Sequence, residues 1–156
     1  MIAYRIIKKK YKASAWTGYG AQMHGGRWNP KGFPMLYLAT SISLAMLETL
    51  VHFESGALLE EYLLLSIEID DEEIIILDRE CLPSNWSERV IPDDTRALGN
   101  NWLNSCDSIG LIVPSVIVPQ ENNLLVNPQH PGFRPFLNSV IITDHLFDPR
   151  LNNMSK

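Results

Sequence analysis

The chain has 156 residues, enough for one domain around one core of ordinary size. Its 46% hydrophobic and 20% charged residues exclude wholesale disorder. A formal net charge of −5 argues against a broad phosphate-neutralising surface and so against general nucleic-acid binding, while leaving room for one local cationic pocket.

Residues 2–7 read as a short strand. Lys8, Lys9 and Lys10 follow it without the apolar stretch of a secretory leader. Residues 11–34, rich in Gly, Trp and Asn, predict a long irregular loop with one helical turn, and loops of this length in compact domains commonly carry function. Residues 35–39 predict a buried strand. Residues 41–54 predict a helix with Ser41 as N-cap and an apolar arc of Leu44, Met46, Leu47, Leu50 and Val51. Strands are expected over 62–69 and 73–77, separated by an acidic turn at Asp70, Asp71 and Glu72. After a loop over 82–86, Asp93 or Asp94 is expected to cap a helix running to Ser105.

Short strands are expected over 109–113, 116–118 and 124–126, with Glu121, Asn122 and Asn123 as a turn. Pro114 and Pro119 predict edge or bulged strands there. A last strand is expected over 139–147. Strands outnumber helices and are joined mostly by turns, which predicts an α+β fold with mainly antiparallel sheet over a doubly wound one. No apolar run approaches the length of a membrane span, so no membrane association is expected. Cys81 and Cys106 lie far apart with no CxxC spacing, as in a reduced, cytoplasmic protein. His24, His52, His130 and His145 form no HExxH-like set, so no metal is expected.

The densest chemistry lies in Gly25-Gly26-Arg27-Trp28-Asn29-Pro30-Lys31-Gly32. Adjacent glycines let backbone approach a ligand, and a guanidinium matches phosphate oxygens. Arg27 could instead simply pair with a loop acid such as Glu48 or Glu54. Gly18-Tyr19-Gly20 lacks the third glycine and flanking elements of a dinucleotide fingerprint. Glu48 reads either as an i, i+4 partner of His52 or as a pocket carboxylate able to stabilise positive charge on a sugar carbon as a glycosidic bond breaks. Tyr37 fits a core position or a stacking platform. Ser115, between Pro114 and Val116, lacks a Gly-x-Ser-x-Gly elbow, yet a polar side chain in an apolar stretch asks for a partner. Asn127-Pro128-Gln129-His130-Pro131 reads as an Asx-turn with a surface histidine or as a rigid turn presenting an amide and an imidazole.

Gly25-Gly26-Arg27-Trp28-Asn29 with Gly32 and Tyr37, then Leu44-Ala45-x-x-Glu48, Pro114-Ser115 and Asn127-Pro128-x-His130-Pro131, together resemble the RES domain, named for its arginine, glutamate and serine. Tyr4-Arg5, Gly18-x-Gly20-Ala21 and Phe147-Asp148-x-Arg150-Leu151 also match. The likeness covers almost the whole chain as a single domain, with no departure at the three name-giving positions.

The resemblance implies a compact α+β domain like that of ADP-ribosyltransferase toxins, with a split sheet flanked by helices around an NAD cleft. It implies the toxin half of a bacterial toxin–antitoxin pair. The partner would be an Xre-like antitoxin that blocks the active site, and a homodimer within a larger complex is a further expectation. The implied activity is cleavage of NAD+ at the nicotinamide–ribose bond by phosphorolysis or hydrolysis, or transfer of ADP-ribose to protein. NAD+ would be substrate and inorganic phosphate a co-substrate, with no prosthetic group. By the same resemblance Arg27, Glu48 and Ser115 would be catalytic: Arg27 on the phosphates or ribose, Glu48 opposite the ribosyl cation, Ser115 bonding in the cleft. Tyr37 would pack at the nicotinamide end. Arg5, Asn127 and His130 would be further contacts, and a phosphate nucleophile would sit at Arg5 and Arg27.

Overall fold

The computed structural model describes residues 1–53 and 61–151. Among them are strands β1 (Ile2–Lys8), β2 (Leu36–Ala39), β3 (Tyr62–Glu68), β4 (Ile74–Ile76), β5 (Gly110–Pro114), β6 (Asn122–Val126) and β7 (Ile141–His145). The α-helices are α1 (Tyr19–His24), α2 (Ile42–Leu50) and α3 (Asp93–Ser105). One sheet takes the order β4-β5-β6-β2-β1-β3-β7. Neighbours are antiparallel except β4 and β5. The α+β expectation with mainly antiparallel pairing therefore holds. The sheet is also nearly split, because β1 registers with β2 only at Tyr4↔Ala39, while β1 pairs with β3 along its whole length.

Alternation along the strands gives each half two faces. One face carries Ala3, Leu36, Leu38, Ile67, Leu124 and Val126 beneath Phe133 and the 3₁₀ turn Arg134–Ser139. The other carries Leu111, Val113 and Leu125 beneath Trp28, Trp102 and Leu103. At the seam between the halves, Ala39 lies beneath Leu44 and Ala45 of α2, with Tyr4 and Ile6 alongside.

Ser41 caps α2 as predicted: its Oγ accepts the Leu44 N–H at 3.1 Å and donates to Glu121 Oε2 at 3.0 Å. Thr40 Oγ1 donates to the Asn122 carbonyl at 2.8 Å. These bonds tie the helix start to the start of β6 and so set its rotation. The helix ends earlier than expected, and Glu54 lies outside the described residues. Its buried side also differs from the predicted arc. Leu44 and Ala45 are buried, whereas Leu47 and Val51 are exposed. Glu48, one turn beyond Leu44 and Ala45, shares their side of the helix.

Four local expectations are corrected. Residues 116–118 form a bend, not a strand, because the Ser115 hydroxyl captures the Ile117 and Val118 N–H groups. Asn122 and Asn123 belong to β6 rather than to a turn. Strands β5 and β6 are interior, and Pro114 is tolerated because β4 pairs with β5 only as far as Ile112. Finally, Pro92 holds the N-cap position of α3 with no side-chain cap, leaving Asp93 and Asp94 in the first turn, where their charges favour the helix dipole.

Candidate active site

Glu48 is anchored through one oxygen. Its Oε1 accepts the Ser115 hydroxyl at 2.9 Å and the Asn123 Nδ2 at 2.6 Å. The Ser115 oxygen accepts the Ile117 and Val118 N–H groups, both at 3.1 Å, so its proton is committed to Glu48. That hydroxyl holds the carboxylate, and Glu48 is itself the acceptor of its proton. Asn123 reaches the same oxygen from β6. It shares a sheet face with Ala39 of β2 and Val113 of β5, and the small Ala39 leaves space for α2 above it.

The glycine loop closes over Tyr37. The phenol donates to Asn29 Oδ1 at 2.6 Å and accepts the Trp28 N–H at 3.1 Å. Asn29 is fully buried and turns Nδ2 toward the carbonyls of Ala21, Pro30 and Phe33. A Cβ on Gly26 would lie 2.4 Å from the phenol oxygen, so only glycine lets the loop come this close. Burial pushes the Tyr37 pKa up, partly offset by the Trp28 amide bond and the charges of Arg27 and Arg96. The group stays a neutral phenol at physiological pH.

Arg27 makes no ion pair among the described residues. Its Nη1 donates to the Trp86 carbonyl, and its Nη2 to the Glu88 carbonyl at 2.9 Å. Trp86 also stacks on Trp28, with ring centroids 6.1 Å apart. Arg27 and Trp28 thus fasten the 82–91 loop across the glycine loop. Burial lowers the Arg27 pKa, and the Glu48 charge opposes that shift. Arg96 of α3 stands near enough to Arg27 to lower it further, and its Nε lies 3.4 Å from the Gly26 carbonyl. The site therefore combines one carboxylate, two guanidinium groups and a buried phenol.

The other predicted contacts lie elsewhere. Arg5 is on the opposite sheet face from Tyr4, whose register joins Ala39 and hence Asn123. It pairs across to Leu65 and donates to the Ala15 carbonyl, and burial lowers its pKa to about 10. The expected phosphate pocket of Arg5 with Arg27 is not formed, and Arg96 is the second guanidinium beside Arg27. Asn127 makes the Asx-turn: its Oδ1 accepts the Gln129 N–H at 3.0 Å, and its Nδ2 donates to the Leu103 carbonyl at 3.2 Å. His130 accepts the Gly132 N–H on Nδ1 at 3.1 Å. Its Nε2 is then the protonated nitrogen and donates to the Cys106 carbonyl at 3.2 Å. Both residues pin the C-terminal end of α3, where Cys106 adopts φ 55°. Asn127 lies four positions beyond Asn123, about 13 Å along the strand direction.

Sequence reasoning missed Asn123, Arg96 and Trp86. Asn123 offered one signal, a polar residue at the head of the apolar run Leu124-Leu125-Val126.

The chain matches the family model described as RES domain over residues 2–147. It is 51% identical to "Toxin Res" of Yersinia enterocolitica over 151 residues, covering 97% of this chain and 99% of that protein. It is 38% identical to the "Prs ADP-ribosylating toxin" of a Sphingobium strain over 146 residues, covering 92% and 90%. Among solved structures it resembles a chain of the M. tuberculosis MbcT–MbcA toxin–antitoxin complex, with TM-score 0.74, 23% identity, and 98% and 87% of the two chains covered. At that identity the likeness concerns the fold. The predicted arginine, glutamate and serine thus sit in a chain that belongs to the RES-domain family, whose named relatives are toxins.

Proposed function

We propose that the protein is a toxin of a toxin–antitoxin pair that consumes NAD+ by cleaving the nicotinamide–ribose bond. The observation that supports this reading best is the Glu48 carboxylate, held by Ser115 and Asn123 within Coulombic reach of Arg27. In such a reaction the bond between the ribose anomeric carbon and the pyridinium nitrogen breaks. Its electron pair leaves with neutral nicotinamide, and positive charge develops on the sugar. Glu48 faces that charge from a fixed position, which stabilises the transition state without reorganisation. Arg27, with Arg96 beside it, binds the diphosphate as paired guanidinium groups can. Tyr37 shapes the nicotinamide end as a neutral phenol.

The ribosyl cation is then captured by phosphate, giving ADP-ribose 1″-phosphate, or by water, giving ADP-ribose and a proton. The partner proposed is an Xre-like antitoxin that covers this site. The name of the Sphingobium relative supports a second reading, transfer of ADP-ribose onto a protein. Purified protein incubated with NAD+, with and without inorganic phosphate and a cell lysate, tests both. Nicotinamide release with a sugar-phosphate or free ADP-ribose product is expected. Labelling of a lysate protein, with nicotinamide released only in proportion to the label and none without an acceptor protein, would replace this with the second reading, and release of no nicotinamide in any mixture would refute both.

A further inference from the structure

We propose that Asn123 is a positioning residue for the carboxylate: together with Ser115 it fixes Glu48 through Oε1 and so presents Oε2 to the substrate. The inference rests on Glu48 acting as the site's carboxylate. Both donors converge on one oxygen, at 2.9 Å from Ser115 and 2.6 Å from Asn123. Among the described residues no protein group donates to Oε2. Two bonds on one oxygen fix both the plane and the direction of the carboxylate, leaving the second oxygen with its lone pairs for a ligand.

The Asn123 amide is not a structural group with all its bonds made. Its Oδ1 is buried without a hydrogen-bond partner. A buried orphan acceptor costs stability, and an apolar residue of similar size would avoid that cost. The neighbours Leu124, Leu125 and Val126 are fully buried and apolar, so the strand itself does not ask for an amide. What the amide contributes is the donor to Glu48. Turning the amide over would set oxygen against a carboxylate at 2.6 Å, so only this orientation serves. Ser115 cannot do the work alone, because its hydroxyl offers a single donor and is held by the bend that follows it.

Asn123→Ala, Asn123→Asp and Asn123→Gln test the role in the full chain. Nicotinamide release by purified protein and growth arrest of producing cells are scored together, with melting temperatures to confirm folding. Asn123→Ala is expected to lower kcat by about 10- to 100-fold with KM within about threefold. Asn123→Asp keeps the volume but replaces the donor with a second carboxylate, and should fall below Asn123→Ala at pH 8. Asn123→Gln keeps a donor and should recover part of the loss. A merely space-filling role predicts the reverse order, with the isosteric Asp above Ala. That order, or wild-type kcat in Asn123→Ala, would overturn the proposal. If wild-type protein arrests growth without releasing nicotinamide, the expected order in growth arrest still supports positioning, and the NAD+ reading alone fails.

Discussion

Arg27 and Tyr37 hold the loop and, in the proposed function, serve the chemistry as well. Two guanidinium nitrogens of Arg27 hold carbonyls of the 82–91 loop, so Arg27→Ala should both weaken anion binding and loosen that loop. We expect about a tenfold rise in the KM for NAD+, equivalent to about 1.4 kcal/mol. Arg27→Lys should recover little, since an ammonium cannot span both carbonyls as a planar fork does. Unchanged KM values in a steady-state titration would remove Arg27 from the binding role. Tyr37→Phe leaves the Trp28 N–H and Asn29 Oδ1 without their partner in a buried setting. The cost should be about 1–3 kcal/mol, read as a lower melting temperature.

The three name-giving residues were legible because the motifs around them are specific. Their geometry was not, because Glu48 and Ser115 meet across 67 positions of sequence. Arg5 was misplaced for a simple reason. Strand alternation puts it opposite Tyr4, but sequence does not say which face of β1 will receive α2.

At the scale of elements, close backbone approaches matter more than propensities. A Cβ on Gly99 of α3 would stand 2.1 Å from the Trp28 carbonyl oxygen, so the helix and the glycine loop touch backbone to backbone. Gly99→Ala should cost about 1–3 kcal/mol as an overpacking change, or about 2–4 °C per kcal/mol for a chain of this size. Gly20, inside α1, has open space at its Cβ. Gly20→Ala should therefore be neutral or stabilising by up to about 1 kcal/mol. Thermal melts of the two variants should move in opposite directions or by plainly different amounts, and equal shifts would contradict this packing. The bend over 116–118 was misread as a strand because Val and Ile favour strands. A local hydroxyl taking two backbone donors outweighed that preference. The α2 arc was misread because the cap bonds at Thr40 and Ser41, not apolar spacing, set the rotation of the helix.

For the whole molecule, the near-split sheet brings α2 over the seam at Tyr4↔Ala39 and so carries Glu48 to the site. The antiparallel α+β class was legible from the many short strands and turns. The order of strands was not, because pairing across the seam depends on contacts remote in sequence. The edge strand β7 adds a pH dependence. His145 packs edge-on against Phe147 at 4.7 Å, with Phe53 and Tyr62 in the same ring cluster. Its Nε2 is buried without a partner, and burial holds its pKa below the usual 6.5. The unfolded chain therefore binds this proton first as pH falls, so the contribution is full above 6.5 and is lost below it. The melting temperature should fall on acidification from pH 7.5 to about 5.5, and His145→Phe should flatten that fall. An equally steep fall in the variant would place the effect elsewhere. Among the described residues, no helix is long and apolar enough to cross a membrane.

The proposed activity requires Glu48 to be the carboxylate that faces the breaking glycosidic bond. The most direct test compares nicotinamide release from NAD+ by wild-type protein and by Glu48→Gln at equal concentrations of folded protein. Glutamine keeps the shape of the side chain while removing its charge, so turnover should fall at least about 100-fold with the melting temperature nearly unchanged. A folded Glu48→Gln protein that releases nicotinamide at the wild-type rate would contradict the central claim.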